Sequence, residues 1–379
     1  MIERSRRSPW QAILAEWPLL LIPVSLTILG VLTMHPFDAG ITSLAPKQLT
    51  WLAIGIGAFA VTASSDVRFI RRTPVIITGY AITIALLVLL LVAAHAVMGA
   101  KSWFVIGPFS FQPADFGKIA FIALMAKYFS RRHMEIGNFR HVLLSGAYAA
   151  SVILLILVEP DLGTAAIFSA VWFGMVLVSG IPKKHLAIVG VTGLVLATGL
   201  WFGGLHDYQR ARILAFVNPA ADIRGSGYNA YQATVAMGSG QVWGKGIGYG
   251  TQSKLRFLPE YETDFIFAAF GEEWGLAGIL LVLFLYALLF ARLLAISRRS
   301  ATNFDAFFTL GVMILFASHL FIHAGINLGL LPVTGTTIPF MSYGGSHLVF
   351  EYLGLGIVAS LAREGRSVPR DRAMAEYEG

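Results

Sequence analysis

The sequence predicts an all-α, polytopic membrane protein with about ten transmembrane helices, and three observations carry that prediction. Hydrophobic residues make up 56% of the chain and charged residues only 13%, with a mean hydropathy of +0.70, where a soluble globule carries about 25% charge. Long stretches free of Asp, Glu, Lys and Arg recur from end to end. The basic residues then fall on alternate connections between those stretches. There is no cysteine, so disulfide and thiolate chemistry are excluded.

Taken in order, the charge-free stretches are 17–37, 48–65, 73–100, 142–158, 162–182, 185–206, 274–291 and 306–350. About 20 apolar residues cross a hydrocarbon core, so each is expected to hold one helix. Two further helices carry charge. One near 112–129 opens with Asp115 and Lys118 and closes at Lys127, whose long side chain can snorkel. The other, near 346–363, contains Glu351 and follows the Gly/Pro break "LLPVTGTTIPFMSYGGS".

Nineteen of the 28 Lys and Arg sit on one set of alternate connections, including Arg4, Arg6, Arg7, Arg68, Arg71, Arg72, Lys127, Arg131, Arg132, Arg140, Lys183, Lys184, Arg292, Arg298, Arg299, Arg363, Arg366, Arg370 and Arg372. The short connections of the other set hold little beyond Lys47 and Lys101. By the positive-inside rule both termini are expected in the cytoplasm. The net charge of +7 is then mostly topology rather than a nucleic-acid footprint. The first helix is expected to remain as an anchor, since no short apolar region with a small-residue cleavage site follows Glu3–Arg7.

That orientation places three segments outside: 98–118, a long loop at about 205–264, and a second, re-entrant segment at about 327–346. Within the loop, "YQRARILAFVNP" and "NAYQATVAMG" show helical spacing, so it is expected to fold and lie on the membrane as part of one domain, 1–379. Non-helical backbone at membrane depth is tolerated only when buried in protein or lining a cavity, which makes 329–346 a candidate cavity wall with Ser342 and Tyr343 as polar contacts. The loop also carries Arg210, Arg212, Arg224, Lys245, Lys254 and Arg256 beside glycines. Arg there suits phosphate oxygens, and a lipid-linked pyrophosphate is one ligand that would need both loop and membrane.

"FLPEYETDFIFAAFGEEWGLAG" (257–278) concentrates Glu260, Glu262, Asp264, Glu272 and Glu273 at the mouth of an apolar helix. Each has a plain alternative. Thr263 or Asp264 could be only the N-cap of a helix beginning at Phe265. Glu260, after Pro259, could close a turn or orient a cation. Glu262 is expected to face solvent. On one straight helix Glu272 lies about 80° around the axis from Asp264 and Glu273 about 180°, so Glu272 is the better placed to share a cavity. Asp115 and Lys118 are spaced for an i, i+3 ion pair, and Asp161 for capping the helix that follows it.

Several motifs together resemble the SEDS family (shape, elongation, division and sporulation). "FQPADFGK" (111–118) is similar to its Q-P-S-E-x-x-K and "EPDLGTA" (159–165) to its Q-P-D-L-G-T. The start and end of the large loop, and "GLLPVTGTTIPFMSYGGS" (329–346), are similar to its remaining signatures. The wording "GTQSKLRFLPE" is closer to the elongation branch than to the division branch. The resemblance implies a peptidoglycan glycosyltransferase of the bacterial inner membrane that polymerises lipid II, the undecaprenyl-pyrophosphate-linked disaccharide peptide, on the outer face. It also implies a class B penicillin-binding transpeptidase as partner, and an essential carboxylate at Asp264.

One carboxylate suffices as general base for such a transfer, because a pyrophosphate leaves with cation stabilisation rather than acid catalysis. Inversion at the donor sugar follows from one direct displacement. Arg210, Arg212, Lys245 and Lys118 are the candidate cations, with Asp115, Glu260 and Ser342 as further cavity contacts. No cofactor is implied, and a divalent cation is left open. Departures from the family pattern are Ala114 and Asp115 for Ser and Glu, Ser102 for an Arg before Trp103, His323 for an Asn, and His347 after Gly-Gly-Ser. The rival readings are a lipid II flippase, although no inverted repeat is visible, and a non-catalytic scaffold, which leaves Asp264 and its basic surround without a purpose.

Overall fold

Backbone N–H and C=O groups find no partner in a lipid core, so each crossing must satisfy its own, and this chain does so with helices. The computed structural model describes residues 16–35, 44–93, 102–106, 109–132, 138–218, 225–255 and 257–365. Arg4, Arg6, Arg7, Lys101, Arg224, Arg256, Arg366, Arg370 and Arg372 lie outside the described residues.

The helices are α1 (Pro18–Met34), α2 (Leu44–Ser64), α3 (Thr73–Ala93), α4 (Pro113–Arg132), α5 (Phe139–Val158), α6 (Leu162–Val178) and α7 (Lys183–Gly199). The loop at 205–264 folds into α8 (Asp207–Val217) and α9 (Ser226–Ser239), as its helical spacing led us to expect, and into the single turn α10 (Thr251–Lys254), which that spacing did not announce. The chain then continues through α11 (Ile266–Arg298), α12 (Asn303–Asn327) and α13 (Gly345–Gly365). Seven helices are long and apolar enough to cross a membrane, and α1 and α6 are shorter apolar helices. The tenth long helix, α4, is diluted by Asp115, Lys118, Lys127 and Arg131. The protein is therefore an all-α polytopic membrane protein, and each expected span coincides with one of these ten helices.

One element was not anticipated. The outer segment before α4 forms an antiparallel hairpin, β1 (Phe104–Ile106) with β2 (Phe109–Phe111), in which Phe104 pairs with Phe111. Aromatic and β-branched residues favour such a ribbon, but three-residue strands are too short to show as a sequence period.

The basic connections meet at one end of the bundle. Arg71 forks onto Asp305 with two bonds of 2.9 Å, and Lys127 Nζ donates to the Arg71 carbonyl at 2.8 Å. Arg363 donates to the Ser64 and Ser65 carbonyls, and Arg292 pairs with Glu16 at 2.6 Å. Inside, α13 packs on α2, α12 on α4, and α11 on α1 and α12, around buried aromatics such as Phe121, Phe168, Phe308, Phe316, Tyr286 and Tyr352.

Asp264 lies before the start of α11 at Ile266, so an angle around one straight helix does not place Glu272 and Glu273 relative to it, and the helix itself is not straight. It breaks at Gly275, whose φ of 65° and ψ of −165° are open to glycine and costly for other residues. The outer-loop backbone threads against the break. Leu276 and Ala277 donate to the Gln241 and Val242 carbonyls at 2.9 and 3.0 Å, while Lys245 and Gly246 donate to those of Glu272 and Glu273, each at 3.0 Å. Loop backbone thus takes over bonds that a continuous helix would make to itself.

Candidate active site

Asp264 lies in a turn just before α11. The turn closes on Glu260, at φ 51°, whose carbonyl accepts the N–H groups of Thr263 (3.2 Å), Asp264 (3.0 Å) and Phe265 (3.2 Å). That is the supporting role of Glu260, played by its backbone while its side chain is exposed. Asn327, at the end of α12, buttresses the turn from the other side. Its Nδ2 donates to the Asp264 carbonyl at 3.0 Å and its Oδ1 accepts from Ala268 N at 2.9 Å, satisfying one of the free N–H groups at the start of α11.

The N-cap of α11 is Phe265, without a side-chain cap bond. Neither Thr263 nor Asp264 caps this helix, so that alternative is overturned. Among the described residues the half-buried Asp264 carboxylate accepts no hydrogen bond. It faces Gly335, where a Cβ would stand 3.5 Å from Oδ2 and where φ is +74°. A residue there that keeps the carboxylate uncovered and tolerates this backbone is glycine. Burial first, and then the Glu260 carboxylate, push Asp264 up to about 7, while the Arg212 guanidinium pulls the other way.

Gly335 belongs to the extended segment between α12 and α13. Val333, Thr336, Ile338, Phe340 and Met341 in it are buried. Ser342 is not a free cavity contact. Its hydroxyl donates to the Thr263 carbonyl at 2.8 Å and accepts from Ile338 N at 2.9 Å, and its carbonyl accepts from Gln48 Nε2 at 3.0 Å. Tyr343 contributes its backbone N–H to the Glu262 carbonyl at 2.8 Å. The segment and the Asp264 turn are therefore stitched together.

The candidate cations separate into three places. Arg212 lies over the Tyr208 ring at 5.7 Å and within electrostatic reach of Asp264. Arg210, two residues earlier on α8, donates to the Phe202 carbonyl at 3.3 Å and lies 3.9 Å from Asp207. Lys245 is held in an ion pair away from Asp264. Its Nζ is 2.7 Å from the fully buried Glu272, whose Oε1 also accepts from Thr251 N (2.9 Å) and Thr251 Oγ1 (3.0 Å). Glu272 thus clamps the loop at 205–264. Glu273 does the same for Gly248 N at 2.7 Å. Lys118 and Asp115 pair at 3.0 Å as the i, i+3 spacing led us to expect, both buried. They line a small internal cavity with Ile119, Leu315, His319, His347, Phe350 and Glu351.

Five residues were not read as site residues, Asp161 having been expected only as the helix cap it proves to be. Asp161 caps α6 by accepting from Thr164 N at 2.9 Å, and it also receives Gln112 Nε2 at 3.4 Å. Glu159, buried at the α5–α6 turn, is pushed up to about 8 by burial and by Asp161. Asn327 could have been suspected only as a polar residue at a helix end. His319 and Glu351 carried no signal beyond being polar within apolar stretches. Among the described residues no group of three His, Asp or Glu side chains is arranged to hold a metal ion.

The family model of the FtsW, RodA and SpoVE cell cycle proteins matches residues 11–367. The chain is similar to the peptidoglycan glycosyltransferase MrdB of Escherichia coli strain K12, 33% identical over 94% of this chain and 96% of that one. It is also similar to the stage V sporulation protein E of Bacillus subtilis, 33% identical over 85% and 87%. Among solved structures, one on the structural coordination of polymerization and crosslinking by a peptidoglycan synthase complex superposes with a TM-score of 0.79, at 29% identity over 93% of this chain and 99% of that one. The crystal structure of the Thermus thermophilus rod shape determining protein RodA does so with a TM-score of 0.68, at 28% identity over 92% and 97%.

Proposed function

This chain belongs to the FtsW, RodA and SpoVE family of cell cycle proteins, and we propose that it joins sugars with Asp264 as the general base. It is a peptidoglycan glycosyltransferase. The substrate is lipid II, presented at the outer face of the bacterial inner membrane, and the branch is that of cell elongation rather than division. In the transfer the 4-hydroxyl oxygen of the acceptor attacks C1 of the donor sugar and the C1–O bond to the pyrophosphate breaks. The proton goes to Asp264, and the α-linked donor inverts to a β-1,4 product.

The single observation that carries this reading is the Asp264 carboxylate itself. It is half-buried, caps no helix, takes no hydrogen bond among the described residues and lies open against Gly335. A structural carboxylate is normally satisfied, as Asp115, Asp161 and Glu272 are here. A base is most effective with a value near the working pH, and burial brings Asp264 to about 7. Arg212, with Arg210 behind it, is the cation set for the departing pyrophosphate. The partner is a class B penicillin-binding transpeptidase that cross-links the product, a reading supported by the structural likeness to a peptidoglycan synthase complex.

The test is glycan formation from lipid II by the purified protein, with and without a transpeptidase from the same cell. Polymer whose yield rises with the partner is the expected result. Translocation of lipid II without polymer would favour the flippase and overturn the proposal.

A further inference from the structure

A group of buried titratable side chains behind the re-entrant segment is not used by the chemistry above. His347 on α13 lies with Nδ1 3.4 Å from Asp115 Oδ1, and with Nε2 2.8 Å from both Glu351 Oε1 and the Thr337 hydroxyl. The charged and titratable groups around it are Asp115 and Lys118 on α4, His319 on α12 and Glu351 on its own helix, with the two imidazole centroids 5.1 Å apart. Burying so many ionisable groups among membrane helices is costly without a purpose.

Their bonds run to the segment that flanks Asp264. Glu351 Oε2 accepts the Phe340 N–H at 2.8 Å, and Phe340 holds a φ of +64°, a left-handed conformation that a residue with a Cβ adopts only when held there. His319 Nδ1 donates to the Thr337 carbonyl at 3.0 Å and His323 Nδ1 to that of Thr336 at 2.7 Å, since a carbonyl oxygen can only accept. Residues 336, 337 and 340 are thus fixed from behind, while Gly335 in front faces the Asp264 carboxylate and Ser342 bonds the Thr263 carbonyl.

We propose that Glu351 and His347 are positioning residues for the reaction, holding the 335–342 segment so that Gly335 and Ser342 set the place of the Asp264 turn. This rests on the reading of Asp264 as the base. It assigns the two side chains no contact with substrate. Their effect falls on the rate of the chemical step rather than on substrate affinity, because what they fix is the distance from base to hydroxyl.

The experiment compares Glu351→Ala, Glu351→Gln and Thr337→Val in purified protein at matched folded fraction, reading kcat and KM for lipid II. A small misplacement of a catalytic group costs up to about 100-fold, and Glu351→Ala is expected to lower kcat at least tenfold with KM little changed. Glu351→Gln, whose amide oxygen can accept the Phe340 N–H, should recover most of that loss. Thr337→Val opens no cavity and should lower kcat in a protein that still folds, which keeps the test open if Glu351→Ala does not fold. A second readout is independent of activity. In this cysteine-free chain, Asp264→Cys can be labelled with a water-soluble maleimide, and adding Glu351→Ala should change the labelling rate several-fold. Unchanged kcat and labelling, or Glu351→Gln as impaired as Glu351→Ala, would overturn the positioning role. Full activity in Asp264→Asn would instead overturn the base assignment, and the labelling rate would still report on the turn.

Discussion

The Ser342 hydroxyl donates to the Thr263 carbonyl at 2.8 Å, tying the segment before the last helix to the residue preceding Asp264, 79 positions earlier in the chain. The same hydroxyl accepts from Ile338 N. Ser342→Ala leaves the buried Ile338 N–H and the half-buried Thr263 carbonyl unmatched, which costs about 1–3 kcal/mol. We expect a lower melting temperature and a loss of glycan yield larger than the loss of folded protein. Wild-type activity at reduced stability would show that the turn holds its place without this bond.

The second expectation concerns pH. Burial and Glu260 raise Asp264 to about 7, and a general base acts only when ionised. Glycan synthesis should therefore rise with pH through a limb centred near 7. The linked stability has the opposite sign. The folded state holds this proton more tightly than the unfolded chain, whose value is near 3.8. That stabilisation is complete below about 3.8 and lost as pH rises through about 7. Asp264→Asn does not ionise, so it should melt higher than the wild type at pH 8, with the gap narrowing toward pH 4. Melting curves across that range check the sign.

Lys245 and Glu272 provide the third. Because Glu272 is fully buried and collects Lys245 and Thr251, Glu272→Ala leaves the Thr251 N–H and a partly exposed Lys245 without their carboxylate, at a cost of about 1–3 kcal/mol. The outer loop should become protease-sensitive. Lys245→Ala leaves the buried Glu272 charge without its cation, so it should cost at least as much, and it should leave KM for lipid II unchanged in the folded fraction. A large rise in KM would return Lys245 to the phosphate site.

Much of the architecture was legible because it obeys local rules. Charge-free runs of bilayer length marked the helices, the Pro-Asp-Leu-Gly-Thr stretch marked the Asp161 cap, and helical spacing marked α8 and α9. Within the candidate site, only Asp264 and its neighbours in the turn could be read from their setting. The rest depends on contacts far apart in sequence. Nothing near Gly275 announces that residues 241–246 will replace helix bonds, and nothing local showed that Asp264 would sit in a turn off the helix that carries Glu272. The carboxylate that pairs with Lys245 lies 27 residues away in the chain, out of reach of any local pattern. Ser342 looked like a cavity hydroxyl until Thr263 claimed it.

The fourth expectation is topological. Arg71, Lys127, Arg292 and Arg363 gather at one end of the bundle, while Asp161, Asp264 and Asn327 gather at the other. By the positive-inside rule the first end is cytoplasmic. Single cysteines at Ala301 and at the exposed Tyr249 test this in intact cells with a membrane-impermeant thiol reagent. Labelling at 249 and protection at 301 is expected, and the reverse pattern would invert the assignment.

The central claim is that Asp264 takes the proton from the acceptor hydroxyl, and Asp264→Asn tests it most directly. The substitution keeps the shape, disturbs no helix cap and removes no hydrogen bond made by the carboxylate among the described residues, so folding and insertion should survive. Loss of a general base costs about 10² to 10⁴ in rate. The measurement is glycan yield and length from lipid II with purified wild-type and variant protein at pH 8. The account predicts polymerisation near background from a variant that melts no lower than the wild type, and polymerisation at near wild-type rate would contradict it.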